Sequence, residues 1–481
     1  MSERTGGRGG PTTRGRDETV STYGRSRPEV RQGDVAFRRT LVVTLLSVIA
    51  PGSGHLALRH RRVGRTALRT YIVLLVVAAL LAVFVPKSTW LAVAFKPWLL
   101  GAVEVFAVLL GLAWAAVVFH AFWLSRPRRI QSPRRGVATG IALAVCVLLL
   151  VPFGIVARYA GVQRDLVSSM FPSGGSGPKG RMNVLLIGGD SGGDRTGTRT
   201  DSMIVASTDL ATGRTTLISL PRNMEHVPMP DGPARQRFPN GFDDLLNAVY
   251  AYGEQHPAVV PGSKRPGPDL LKETVSGILG IPVHYYLLVN LKGFQKMVDA
   301  LGGVTIRVNE RLPIGGDGGV PITGYVPKGL HRLNGYQALW YARSRLLSSD
   351  YDRMTRQRCL IGAIEKQADP ATVFTRYQQL AAASKQLFQT DIPQNVMSKL
   401  VTVAQKAKKQ KMKSLALVPP LVNTSEPDWQ RIKDKTRQAI DASMRAPAGK
   451  HTSSPHRTPS ASRPTKTPTG AVSVDSVCRY N

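Results

Sequence analysis

Three stretches of this chain are apolar for long enough to cross a bilayer, and they limit what everything around them can be. Tyr71–Val85, Trp98–Leu124 and Val137–Val156 each approach the ~20 residues that a helical span needs, the first being short. A further apolar run, Leu41–Leu58, is broken by Pro51-Gly-Ser-Gly54. Residues 41–157 are therefore expected to be a membrane region. The loops between the runs orient it. His60–Arg69 and the Arg126–Arg135 stretch are strongly basic, whereas Lys87–Lys96 is only weakly so. Basic loops stay in the cytoplasm, which places Lys87–Lys96 and everything after about Val156 outside. Residues 1–40 are polar, hold nine arginines and read as a disordered tail, too long and polar for a signal-peptide n-region. That tail should also be inside. Three spans plus a re-entrant or interfacial Leu41–Leu58 satisfy this; four full spans, the alternative, would put it outside.

Charge narrows the partners. The chain of 481 residues carries 64 Lys and Arg against 31 Asp and Glu, a net charge of +33. The excess is spread along it, with 22 basic and 6 acidic residues in 1–160 and 42 and 25 in the rest. An anionic partner is implied: nucleic acid, anionic lipid head groups or a phosphorylated substrate. The N-terminal tail has only Tyr23 and Phe37 as aromatics and no helix-turn-helix, so no specific nucleic-acid partner is expected.

Ser173-Gly-Gly-Ser-Gly-Pro178 lies in a linker, residues 158–180. From 181 to about 445 strand and helix patterns alternate. Asn183–Gly188, Ser202–Thr208, Arg214–Leu220, Val283–Val289 and Val304–Val308 read as strands. Asp243–Tyr252, Asp269–Leu279, Leu291–Leu301 and Tyr351–Gln367 carry helix-spaced apolar residues, and Ser414–Val418 is a later strand. Alternation of this kind predicts a layered α/β fold. Residues 446–481 are Ser/Thr/Pro-rich and read as a disordered tail. Of three cysteines, Cys146 lies in an apolar run, while Cys359 and Cys478 are able to pair if their region is extracytoplasmic. No Cys/His cluster suggests zinc.

The chemistry concentrates in charged residues at element ends. Asp190 closes the first strand in GGD, and Asp201 opens the second in RTDS, beside Arg199. Ligands bind at strand ends in open α/β sheets, and two carboxylates there suit a hard divalent cation. Arg222 follows the third strand in SLPRN, Arg343 and Arg345 form RSR, and Asp350, Arg353, Arg356 and Gln357 come next. Guanidinium forks match phosphate oxygens, and phosphoryl transfer depends mainly on positioning and charge stabilisation. Any one of these residues alone reads more simply as a turn or a surface ion pair; their combination at several element ends does not. His226 reads as a loop residue and His284 as a packed strand residue. Gly-Pro-Lys-Gly at 177–180 lacks the rest of a phosphate-binding loop.

NVLLIGGD, RTDSM, LISLPRN, LNAVYAYGE, VHYYLLVNLKGFQKMVDALGGVTIRV, GLHRLNGYQALWYARSR and DYDRMTRQR follow one another in the order typical of the LytR–CpsA–Psr family, which this chain resembles over roughly residues 180–370 and more weakly to 445. The N-terminal region with its PGSGH element is similar to actinobacterial members. The resemblance implies an extracytoplasmic α-β-α domain with a central mixed sheet behind transmembrane helices, in a multi-pass cell-membrane protein. It implies a phosphotransferase that moves a glycopolymer, teichoic-type or another anionic wall glycan, from a polyprenyl pyrophosphate carrier onto peptidoglycan, with membrane lipids as further partners. By position, Asp190 and Asp201 match Mg²⁺ (or Mn²⁺) ligands. Arg199, Arg222, Arg343 and Arg345 match pyrophosphate contacts, and Asp350, Arg353 and Gln357 match a motif near the same head group. The catalytic set is Arg222, Arg343, Arg345 and Asp350, with the general base open between aspartates near Asp190 and Asp350. Without an acceptor the same site would hydrolyse pyrophosphate slowly. Three positions depart from the family pattern. Asn223 stands where Asp is common, Leu245 where a basic residue is common, and Asn290 where an acidic one is. Arg235 or Arg237 is a candidate to compensate for Leu245. Two other readings are a non-catalytic binder of polyprenyl phosphate or anionic polymer, and an envelope-linked transcriptional regulator.

Overall fold

A computed structural model describes residues 27–86, 89–90, 93–125, 132–175, 177–190, 199–316, 321–346, 348–367, 388–445 and 470–478. The chain divides into two compact units, Met1–Ala82 with Val105–Ala157, and Val83–Glu104 with Arg158–Asn481.

The first unit is helical. Helix α1 (Arg27–Ile49) is followed by a turn and the short α2 (Ser53–Ala57). A Cβ on Gly54 would stand 2.1 Å from Ser47 Oγ, so glycine is what lets the chain double back on α1. Residues 27–40, assigned above to a disordered tail, are instead helical, with Pro28 in the first turn, where a missing N–H is tolerated. Helices α3 (Arg61–Phe84), α4 (Pro97–Ser125) and α5 (Ser132–Met170) follow along the chain, and each has a part in either unit. By length and composition, Arg61–Phe84, Pro97–Ser125 and Arg135–Ser169 are long and apolar enough to cross a membrane. These three helices overlap the three expected spans, the first of which runs one residue past α3.

The second unit is built on a mixed seven-stranded sheet. Its strands are β1 (Arg181–Asp190), β2 (Arg199–Asp209), β3 (Thr215–Leu220), β4 (Tyr285–Asn290), β9 (Phe388–Thr390), β10 (Lys413–Ala416) and β11 (Val472–Ser473), in the order β11-β10-β3-β2-β1-β4-β9. β1 pairs antiparallel with β2 and parallel with β4, and β3 pairs parallel with β10. Strands β5 (Val304–Val308) and β8 (Gly329–Leu333) form a hairpin-like pair, as do β6 (Leu312–Ile314) and β7 (Gly324–Val326). Strand alternation sends side chains to opposite faces. Leu185, Ile187, Val205 and Ile218 pack with Leu271, Val275 and Ile278 of helix α8 (Pro266–Leu279) and Ile432 of α13 (Trp429–Met444). Helices α6 (Pro233–Arg237) and α7 (Val249–Gln255) lie before α8. On the other face Val184 meets Val396 of α12 (Gln394–Ala407), and Ile204 and Leu217 meet Val474. Each such fully buried aliphatic side chain contributes about 1.5–3 kcal/mol.

Helices α9 (Leu291–Ala300), α10 (Gly335–Arg343) and α11 (Asp350–Gln367) complete that second face. The structure corrects the extent of the C-terminal tail. Within 446–481, residues 470–478 form β11 and α14 (Val474–Cys478), and Cys478 is disulfide-bonded to Cys359 of α11. Val474, 5% exposed, and the disulfide give a short segment the anchorage that its composition does not reveal.

Candidate functional site

The site begins at an irregularity in the sheet. Gly188 pairs with Ser202 and Gly189 with Thr200, so Asp201 is an extra residue on β2. Such bulges re-aim side chains and recur beside active sites. A Cβ on Gly188 would lie 3.0 Å from Ser202 Cβ, which explains a glycine there. Asp190 ends β1 and is paired in register with Arg199, the exposed first residue of β2. The backbone thus brings Asp190, Arg199 and Asp201 to one end of adjoining strands; the Asp190 side chain lies outside the described residues.

Arg222 follows β3 and reaches across. Its Nη1 donates to Asp201 Oδ1 at 2.5 Å, and its Nε stands 3.4 Å from Asp350 Oδ1. Asp350 opens α11 and is the hub of the cluster, with Arg353 Nη2 at 2.9 Å and Arg345 Nη1 at 3.8 Å. Arg353 is 3% exposed, and burial pulls its guanidinium pKa down against Asp350, which holds it up. Arg343, the last residue of α10, lies with its guanidinium 5.6 Å from the Trp340 ring. Four arginines against the carboxylates of Asp201 and Asp350 leave a cationic locus suited to a multiply charged phosphate.

Arg356, named with the charged residues at the element ends but given no role there, shapes the site. Its Nε donates to Tyr341 O at 2.9 Å, and its Nη2 donates to Ser344 O and, at 3.0 Å, to Ser348 Oγ. These bonds occupy carbonyls at the end of α10 and pin the loop that presents Arg343 and Arg345. Gln357 Nε2 donates to Ala342 O at 3.2 Å on the same loop. The sequence signal was the register of α11, which sets Arg353, Arg356 and Gln357 within one turn of each other.

Two cavities flank the cluster. One, of about 370 Å³, is lined by apolar side chains of the sheet (Leu186, Ile204, Leu287) and of α9 and α11 (Phe294, Leu360, Ile361), and Asp201, Arg343, Arg353 and Gln357 also line it. The other, of about 440 Å³, is lined by Arg222, Asn223, Arg345, Leu346 and Asp350. The polar cluster therefore borders both. The apolar lining was not identified residue by residue from sequence, because strand and helix patterns look alike whether they face a core or a cavity.

The departures now have local accounts. Asn290 caps α9, its Oδ1 accepting from Gly293 N at 2.7 Å, a role that Asn fills as well as Asp. Asn223 Nδ2 donates to Thr424 Oγ1 at 3.3 Å. Leu245 precedes a 3₁₀ turn. Arg235 binds Met229 O and Asp231, Arg237 lies over Phe238, and neither lines either cavity. His284 is a hydrogen-bonded strand-end residue, its Nδ1 accepting from Asn183 N at 3.1 Å.

Similarity to known proteins agrees with these motifs. Over 217 residues, 44% of this chain and 50% of the relative, the chain is 30% identical to Biofilm regulatory protein A of Streptococcus mutans. It is 32% identical over 223 residues, 45% of this chain and 64% of the relative, to the polyisoprenyl-teichoic acid–peptidoglycan teichoic acid transferase TagU of Enterococcus faecalis. The match thus spans half to just under two thirds of these relatives' lengths. Among solved structures, TagV of B. subtilis is 23% identical, with a TM-score of 0.41 over 56% of this chain and 98% of that one. The model of the LytR_cpsA_psr family matches residues 163–438, more than half of the sequence, and the chain belongs to that family.

Proposed function

We propose that this protein is a membrane-anchored phosphotransferase that moves a polyprenyl-pyrophosphate-linked glycopolymer, teichoic-type or another anionic wall glycan, onto peptidoglycan and releases polyprenyl phosphate. The observation that carries this is the arginine–aspartate cluster bordering two cavities, one apolar and one open and polar. A lipid pyrophosphate needs an apolar site joined to a cationic one, and a transfer needs a second opening for the acceptor. The relative named as a teichoic acid transferase supports the substrate class. The three apolar helices and the basic loops between them support a multi-pass protein with this unit outside the cell. The disulfide suits an oxidising compartment.

The polyprenyl chain lies in the cavity lined by Leu186, Phe294 and Ile361, with its pyrophosphate at Arg343, Arg353 and Gln357. Arg222 and Arg345 bind phosphate oxygens from the side of the second cavity, and Arg199 adds charge from the strand end. A saccharide hydroxyl of peptidoglycan attacks the sugar-side phosphorus. The bond from that phosphorus to the bridging oxygen breaks, and polyprenyl phosphate leaves, its charge met by the arginines. The hydroxyl proton passes to a carboxylate of the site, and Asp350 is the described one that opens on the second cavity. With water in place of the acceptor, the same site acts as a slow pyrophosphatase.

Among the described residues no three His, Cys, Asp or Glu side chains cluster, and the carboxylates proposed for a cation are one or two. That fits Mg²⁺ or Mn²⁺, which take the remaining ligands from water and phosphate. Asp201 on its bulge, with Asp190 at the adjoining strand end, would hold the ion. When bound it neutralises phosphate charge.

The test uses the full chain in detergent with Mg²⁺, a synthetic polyprenyl pyrophosphate saccharide and peptidoglycan oligomers, beside an Asp190→Ala/Asp201→Ala variant. Metal-dependent release of polyprenyl phosphate that requires acceptor and disappears in the variant is the expected result. Tight lipid binding without turnover would refute catalysis and favour a binding protein.

A further inference from the structure

One ionisable group lies where the lipid reading has no use for it. Along α11, Arg353, Gln357, Leu360, Ile361, Ile364 and Glu365 line the apolar cavity. Their spacing keeps them on one helix face. Arg353 and Gln357 stand at the phosphate end. Glu365 is twelve residues further along, about 18 Å at the helical rise of ~1.5 Å per residue. It therefore lines the end of the cavity remote from Arg353, and is half-buried there. Its Oε1 is buried and accepts no hydrogen bond among the described residues. The charges that act on it are Lys366 of its own helix, Lys408 after α12 and Asp475 of α14. Lys366 is already paired with Asp475. The wall nearby is apolar, with Ile361, Met412, Val474 and Cys478 packed together.

We propose that Glu365 sets the length of apolar chain that the cavity admits: segments reaching past Ile364 meet its carboxyl group and gain no affinity. This inference rests on the lipid reading of the cavity. Hydrocarbon laid over a carboxyl strips the water that still solvates it and supplies no hydrogen bond in return, which costs more than the added contact gains. Burial already lifts the Glu365 pKa above the ordinary carboxylate value, with Lys366 and Lys408 opposing, so the group is poorly solvated even before a chain arrives. At about 18 Å, a chain of a few isoprene units reaches it. Longer carriers would have to turn out of the cavity before that point.

The experiment is calorimetric titration of the full chain in detergent with geranyl, farnesyl, geranylgeranyl and undecaprenyl pyrophosphate, for the wild type, Glu365→Leu and Glu365→Gln. The wild type should gain affinity from geranyl to farnesyl and then level off. Glu365→Leu should match it for geranyl and bind geranylgeranyl about tenfold more tightly, the effect expected when a buried, unpaired polar group is removed. Glu365→Gln, which keeps the shape and a polar end, should fall between them. Parallel affinity series for wild type and Glu365→Leu would overturn the role of Glu365 while leaving the lipid cavity standing. Affinities no better than that of inorganic pyrophosphate, for every chain length, would overturn the lipid assignment itself and this inference with it. Thermal melting of each variant identifies one that has failed to fold, and the glutamine variant then carries the comparison.

Discussion

Asp201 and Asp350 both pair with Arg222, yet removing them should not cost the same. Asp201→Ala leaves Arg222 with Asp350 at 3.4 Å. Both partners of the lost pair are about a quarter exposed, so water makes up much of the loss, and the cost is about 1 kcal/mol or less. Asp350→Ala is different. Arg353, with 4% of its side chain exposed, loses its partner at 2.9 Å, and its Nε has no hydrogen-bond partner among the described residues. Breaking a buried pair from one side costs roughly 3–5 kcal/mol. Because Asp350 itself is 24% exposed, about 3 kcal/mol is the better figure. For a unit of this size that is a drop in melting temperature of about 8 °C, against about 2–3 °C for Asp201→Ala. Replacing both partners, Asp350→Ala with Arg353→Met, should recover most of the loss, since no buried charge is then left alone. Thermal unfolding of the full chain in detergent measures all three. Equal melting temperatures for the two single variants, or no recovery in the double variant, would refute the account of Asp350 as the anchor of a buried guanidinium.

Arg343→Ala and Arg345→Ala should each abolish polymer transfer with the melting temperature within about 2 °C of wild type, since their loss from a partly exposed surface costs little stability; undiminished transfer in both would remove them from the site. Cys359→Ser should lower stability by up to about 5 kcal/mol, the loop-closure value for the 119-residue separation, and dithiothreitol should reproduce the loss in the wild type. Asp209 is pushed up by burial, but its bonds from Thr212 N at 2.8 Å and Thr212 Oγ1 at 2.6 Å, with Arg181, outweigh this and hold its pKa below the ordinary value. A carboxyl lowered on folding stabilises above its unfolded pKa and stops doing so as pH falls through the folded one. Asp209→Asn should therefore cost about 1 kcal/mol near pH 7 and progressively less as pH falls below the ordinary carboxylate range, read from urea midpoints along that fall.

The sequence by itself determined the elements whose pattern is local. The three long apolar helices follow from run length and apolarity, both of which are local properties. β1, β2, β3 and β4 follow from β-branched runs, and α8, α9 and α11 from helical spacing. The motif order carried the family and singled out Arg222, Arg345, Arg353 and Asp350, and the structure brings the three arginines within ion-pair distance of the carboxylate. What only the tertiary structure decided is how segments distant in sequence share space. Asp350 became the centre of the arginines because the end of β3 and the start of α11 meet, and no local pattern encodes that. Arg356 proved to hold the loop of the site because its partners are backbone carbonyls, which every sequence has and none advertises. β11 and α14 formed inside a Ser/Thr/Pro-rich tail because Cys478 and Val474 found α11 and the sheet. Glu365 lines an apolar cavity because strands of the sheet and helix α9 stand opposite that face of α11, and burial is a property of neighbours, not of the residue.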